Sequence, residues 1–414
     1  MNILWIVNNV LPELAHVYGL ETSASGSWLE DWSQKLAASK GINLAVACVY
    51  GTEYKRYKVN NTTYYLLPGT GRNMMFYTKK YESLWQRIAE EFKPDIVHLH
   101  GTEYSHGLSF LRSNPSVKSI VSVQGIISRI ADNMFDGLPI LFSLRYFTIR
   151  EILKMNNVWC RAMLYKYNSR YEREIFQRVH YANVVNSWDK SLSEYYNPKI
   201  KTVLLQYNLR NAFYSAPKWN IEKIHKFRIF TNPCGDPIKG MHILFKAIGI
   251  VKKQYPDVAL CIPAKSFFIK ANSGYEKYLV KLATELHIEK NISFLGRLNE
   301  QKMIENMLMS HAVVVPSAIE GTSLVLREAM YLGVPCIASF RGGMADFIRD
   351  KETGFLYDFE EYTYLANRIS LLFRDNHLAN TISKAAIVQA ENAHNRERNI
   401  QELIEMYSKV YNEV

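Results

Sequence analysis

Short apolar runs alternate with helix-length amphipathic stretches along nearly the whole 414-residue chain, and this rhythm most constrains the fold. Ile3 to Val7, Asn43 to Val49, Asp95 to His100, Ser119 to Val123 and Ala182 to Asn186 read as strands in the first half. Arg228 to Thr231, Val258 to Pro263, Ile292 to Leu295, Ala312 to Val315 and Cys336 to Phe340 read as strands in the second. Helical spacing fills the gaps at Trp28 to Ala38, Tyr81 to Phe92, Met241 to Lys253, Tyr275 to Leu286 and Glu300 to Met309. Repeated βα units force parallel sheets covered by helices. The expected class is α/β with two Rossmann-like parallel-sheet domains facing a central cleft, because the chain exceeds the usual single-domain size. The expected domains are 1–207, with a helical insert over 136–181, then 208–395, with a C-terminal helix over 396–414 packing back on the first domain. Tyr54 to Leu67 reads as a hairpin.

The most informative stretch runs from Pro316 to Pro335. A strand ends at Pro316, a polar turn follows, and an apolar helix stops at Gly333. Glu320 lies in the turn and Glu328 in the helix, with seven residues between them. Open α/β sheets bind ligands outside the carboxyl ends of their strands. The first N–H groups of a helix are unpaired and favour anions. Gly321 allows close backbone approach, Thr322 or Ser323 can cap, and Leu324 begins the helix. Such a loop suits a sugar carrying a diphosphate, with amides for phosphate and carboxylates for hydroxyls.

Two further loops belong to the same predicted edge. Asp236-Pro237-Ile238-Lys239-Gly240 precedes a helix, and a lysine there can meet phosphate as a point charge. Gly342-Gly343 follows the Cys336 to Phe340 strand. In the first domain, Gly26 sits in a small-residue loop before a helix, and His100 and Gln124 stand at strand ends as acceptor-side candidates. Each of these residues also has an ordinary reading as a turn or packing residue.

Several classes are disfavoured. The turn after the first strand, Asn8-Asn9-Val10-Leu11-Pro12, is not a dinucleotide fingerprint, and no P-loop is present. No His-Glu-x-x-His or Asp-x-Asp pattern suggests a metal, so no metal or cofactor is expected. The five cysteines are scattered without a C-x-x-C pair, which points to a reducing compartment. The chain has a formal net charge of +11, which suits anionic partners; nucleic acid is not expected. No signal peptide or spanning segment is read, so the expected location is cytoplasmic, with peripheral contact at the inner membrane face. Between Leu138 and His180, eight Arg and Lys stand against three Glu, interleaved with aromatics, the mix that binds a membrane interface. A helical cap with core aromatics and a solvated charged face is the competing reading.

With those residues in hand, the chain resembles the retaining GT-B glycosyltransferases of glycosyltransferase family 4. The likeness rests on Pro316-Ser317, Glu320-Gly321, Glu328-Ala329-Met330, Gly333-Val334-Pro335, Gly342-Gly343 and Thr353-Gly354-Phe355-Leu356, in order. Lys239-Gly240 resembles the family's phosphate-binding pair. Asn208 to Tyr214 and Pro237 to His242 look like members that build bacterial surface and capsular polysaccharides. The resemblance implies that Lys239 neutralises the donor diphosphate, Glu320 contacts the transferred sugar and Glu328 holds the ribose hydroxyls. It places Gly321, Thr322, Ser323 and Leu324 against sugar and phosphate, Arg297 near the base, and Gly26 opposite the diphosphate. It implies transfer from a nucleoside diphosphate sugar to a growing glycan with retention and without a metal, and a lipid-linked acceptor would suit the basic, aromatic segment over 138–180. Three departures stand out. No arginine precedes Lys239 in Thr231-Asn232-Pro233-Cys234-Gly235-Asp236, Gln124 replaces a usual histidine, and Asp346 replaces a usual glutamate. A nucleotide-sugar isomerase and a non-catalytic nucleotide- or glycan-binding homologue are the alternatives.

Overall fold

The computed structural model describes residues 1–20, 28–70, 74–231 and 235–413. By contacts the chain forms two compact units. Unit 1 comprises Met1–Ser128, Lys166–Asn211 and His394–Val414; unit 2 comprises Arg129–Tyr165 and Ala212–Ala393.

Unit 1 is built on eight strands: β1 (Asn2–Ile6), β2 (Asn43–Val49), β3 (Lys55–Val59), β4 (Thr62–Leu67), β5 (Ile96–His100), β6 (Lys118–Ser122), β7 (Tyr181–Val184) and β8 (Lys201–Leu204). Their order is β3-β4-β2-β1-β5-β6-β7-β8, all neighbours parallel except the β3–β4 hairpin. Central strands are buried on both faces: β5 at every position, and β1 and β6 at all but their first residue. The Arg396–Asn412 helix closes one face. Tyr407 accepts a hydrogen bond from Trp5 Nε1 at 2.8 Å and meets His98 Nδ1 at 2.6 Å.

Unit 2 carries β9 (Arg228–Thr231), β10 (Ala259–Ile262), β11 (Ile292–Phe294), β12 (Ala312–Val315), β13 (Cys336–Ser339) and β14 (Phe355–Tyr357). The order β11-β10-β9-β12-β13-β14 is parallel throughout. The chain reverses direction across the sheet between β9 and β12, which is where such sheets hold ligands.

The segment read as an insert of the first domain divides differently. Arg129–Tyr165 groups with unit 2, and the remainder groups with unit 1. Side chains account for the first attachment. Glu151 forms a capping box with Thr148, and its Oε2 also accepts the Gly274 N–H at 2.8 Å, at the start of the Gly274–Glu285 helix. Phe142, 1 % exposed, packs on Tyr275 and Tyr278. A Cβ at Gly274 would lie 2.3 Å from the Tyr146 carbonyl oxygen, so the contact needs glycine.

Candidate functional site

Three loops at the carboxyl ends of β9, β12 and β13 converge on Glu320. After β9 the chain enters a single 3-10 turn, Pro237–Lys239, and Gly240 at φ +70° opens the Met241–Gln254 helix. A Cβ there would fall 1.7 Å from the Pro316 carbonyl oxygen, so this turn and the β12 loop lie backbone against backbone. Ala318 N donates to Ile238 O at 2.7 Å across the same seam. From the β13 loop, Gly343 N donates to Glu320 O at 2.9 Å. Gly342, at φ +65°, leaves room for that carbonyl, which a Cβ would approach to 2.3 Å.

This packing fixes the Glu320 carboxylate. Its Oε2 accepts from Lys239 Nζ at 2.6 Å and from Ser317 Oγ at 3.2 Å. Ser317 is itself held by Ser339 Oγ, which donates to its carbonyl. The side chains of Lys239 and Glu320 remain 28 % and 15 % exposed. The pair is only partly open to solvent, so an anionic ligand can reach the lysine in competition with Glu320. Ser323 caps the Leu324–Leu332 helix, its Oγ accepting from Leu326 N at 3.3 Å. Thr322 Oγ1 is buried and has no partner among the described residues. Gly321 is buried and Leu324 partly exposed.

The remaining candidates are placed as follows. Glu328 is 0 % exposed, inside the helix beside Arg327, whose guanidinium lies 5.5 Å over the Phe347 ring. Arg297 is exposed just past β11, at the far edge of the same sheet. Asp346 is exposed in the short helix after Gly343. Gly26 and the stretch Asn232-Pro233-Cys234 lie outside the described residues.

In unit 1, His100 is 1 % exposed, with its ring 4.5 Å from Trp5 and 4.1 Å from His98. Burial and then the neighbouring His98 push its pKa well below the usual histidine value, so it is neutral at pH 7. Gln124, two residues past β6, is partly exposed.

Sequence reasoning missed two groups. Burial pushes Glu103 up to about 7, and its carboxylate lies against Gly101 and Gly125, where a Cβ would sit 2.1 Å and 3.0 Å from its oxygens. Only part of the signal was available: Glu103 follows a strand end and Gly101, whereas its contact with Gly125 shows only in the fold. Arg161 had no local signal. It comes from the Val158–Arg178 helix, bonds Asp236 in the turn that carries Lys239, and contacts Met134 Sδ at 3.8 Å.

Residues 229–389 match the family described as glycosyl transferases group 1. Among curated relatives, N-acetyl-alpha-D-glucosaminyl L-malate synthase of Bacillus anthracis is 30 % identical over 136 residues, 33 % of this chain and 34 % of that protein. D-inositol 3-phosphate glycosyltransferase of Corynebacterium urealyticum is 27 % identical over 172 residues, 41 % and 40 % of the two. The matches thus span about a third to two fifths of these relatives' length. Among solved structures, sucrose-phosphate synthase of Thermosynechococcus elongatus aligns over 99 % of both chains with a TM-score of 0.73 at 15 % identity. Anabaena HepE, solved in complex with UDP and glucose, aligns over 99 % of both with a TM-score of 0.68 at 16 % identity. The fold is the α/β two-domain GT-B fold of these neighbours.

Proposed function

We infer function from the family to which residues 229–389 belong, the group 1 glycosyl transferases: the chain moves a sugar from a nucleoside diphosphate sugar to a growing glycan. The observation that carries this reading is the convergence of three post-strand loops on the half-open Lys239–Glu320 pair. Cleavage of a glycosyl phosphate bond sends an electron pair to the diphosphate, so catalysis needs fixed positive charge and N–H groups more than a strong base. Lys239 supplies the charge, and the N-terminus of the Leu324–Leu332 helix supplies N–H groups. Arg161 stands in this reading as the second cation, brought to the turn in place of an arginine before Lys239. Glu320, released from Lys239, accepts from the hydroxyls of the transferred sugar; Thr322 Oγ1 offers a further polar contact. The family resemblance gives Glu328 the ribose, which requires this enclosed side chain to be uncovered on binding; Gly321, Ser323 and Leu324 line the phosphate, and Arg297 lies on the base side.

Retention follows in this reading if the acceptor oxygen attacks from the face the diphosphate leaves, its proton passing to a leaving-group phosphate oxygen. No metal has a part in that step. Of the acceptor-side candidates, Gln124 is the partly exposed one and carries the role; His100 is enclosed. The acceptor class is a polysaccharide under assembly on a lipid carrier. A cytoplasmic setting is supported by the buried free thiols of Cys48, Cys261 and Cys336.

The test is a panel of nucleotide sugars incubated with and without glycan acceptors, in EDTA and in Mg²⁺. Acceptor-dependent release of nucleoside diphosphate, indifferent to EDTA, is expected. Turnover without acceptor would favour an isomerase, and donor binding without turnover a binding homologue.

A further inference from the structure

The Arg129–Tyr165 segment turns one side to unit 2 and leaves the other bare. Its inner side is the Phe142 and Glu151 staple already described. Its outer side exposes Ile140 (102 %), Leu144 (76 %), Ile149 (76 %), Leu153 (80 %), Met155 (75 %) and Trp159 (54 %). No other stretch of comparable length among the described residues exposes so many large apolar side chains. So many exposed large apolar side chains within twenty residues mark an interaction site.

Charge selects the occupant. Arg145, Arg150 and Lys154 are interleaved with those apolar residues. The acidic residue among them, Glu151, is 6 % exposed, with its carboxylate taken up by the Thr148 and Gly274 N–H groups. The outer face is therefore apolar and basic, with its negative charge turned inward. A protein partner or a second copy would have to present a matching acidic, apolar face, and the large exposed apolar side chains of this chain are concentrated in this same basic segment. Apolar side chains ringed by Arg and Lys, with a tryptophan at the margin, match the interface of an anionic bilayer. Among the described residues no helix is long and apolar enough to cross a membrane, so the contact would be peripheral.

We propose that the exposed face of residues 140–159 docks on an anionic phospholipid bilayer, seating Leu144, Ile149, Leu153 and Met155 among the acyl chains and Arg145, Arg150 and Lys154 among the headgroups. The inference rests on this surface and not on the sugar-transfer reading.

Flotation of the full chain with phosphatidylglycerol-containing vesicles, against pure phosphatidylcholine, tests it. Binding should favour the anionic vesicles and fall with salt. Arg145→Gln, Arg150→Gln and Lys154→Gln together should lower partitioning about 100-fold, the factor for three charges worth about 1 kcal/mol each near such a surface. Ile149→Ser with Leu153→Ser should also release the protein. Because these side chains are exposed, the thermal midpoint and nucleotide affinity should not change, which separates this result from any failure of the donor site. Absence of binding to either vesicle, or equal binding to both, overturns the proposal. So does a dimer in light scattering that the serine variants dissociate, which would make the face a self-interface.

Discussion

The two sheets finish in opposite ways at their carboxyl edges. In unit 2, Lys239 and Glu320, beyond β9 and β12, keep their charges partly open to solvent and face each other. In unit 1, the groups at and beyond β5 are sealed, and burial disfavours their charged forms. His98 and His100 are enclosed, burial holds His98 at about 3, and it lifts Glu103 to about 7. Burial removes charge where no ligand needs it. A close pair kept at the surface retains charge that a ligand can use. The contrast separates a binding edge from a packing edge even though both strand ends carry titratable residues.

The largest expected effect is at the open edge. Glu320→Gln keeps the shape and removes the charge. Transfer should fall by about 10²-fold or more, the scale for losing one preorganised group. Turnover near wild type with an intact fold would erase the distinction between the edges.

Next comes the backbone seam that aims the pair. Gly240→Ala meets the Pro316 carbonyl at 1.7 Å as well as the left-handed φ of +70°, whereas Gly41→Ala at φ +79° meets nothing within 4 Å. The left-handed strain alone costs about 1–2 kcal/mol. Gly240→Ala should therefore destabilise clearly more than Gly41→Ala in urea melts and should also reduce donor binding. Equal losses would mean that the seam is not tightly packed.

A smaller effect sharpens the sealed edge. Burial lifts Glu172 to about 7, although it accepts from Ile127 N at 2.6 Å and from Ser128. The folded state then binds more protons than the unfolded one between about pH 4.5 and 7. Stability from this group is full below that window and is lost as pH rises through it. His98 and His106, lowered to about 3 and 4, act oppositely: their contribution is full above pH 6.5 and is lost on acidification. In Glu172→Gln the thermal midpoint should rise more steeply from pH 5 to 7 than in wild type. An unchanged slope would mean that Glu172 titrates normally.

Much of this was legible in the sequence, and the exceptions share a cause. The strands from Asn43–Val49 to Ala312–Val315 and the loops bearing Lys239, Glu320 and Gly342 follow from local pattern, because parallel strands are apolar runs and their exits need glycine. The edge strand β8 was missed because Lys201–Leu204 is exposed at both ends and presents no buried apolar run, and β14, Phe355–Tyr357, was also not read. The attachment of residues 129–165 to unit 2 depends on Glu151 meeting Gly274 and Arg161 meeting Asp236, contacts between residues 123 and 75 positions apart that no local spacing encodes.

The central claim is that the open edge of unit 2 holds a nucleoside diphosphate, and calorimetric titration tests it most directly. Wild type, Lys239→Ala and Arg161→Ala would each be titrated with UDP, GDP and ADP. The account predicts that one nucleotide binds wild type and that Lys239→Ala weakens it by about 10- to 100-fold, the range for a charged hydrogen bond worth about 1.5–3 kcal/mol. Arg161→Ala should act in the same direction to a lesser degree. The unliganded thermal midpoint of Lys239→Ala should move little, since the lysine is partly exposed and Glu320 keeps its bond from Ser317. Binding of none of the three by wild type, or undiminished affinity in Lys239→Ala, would contradict it.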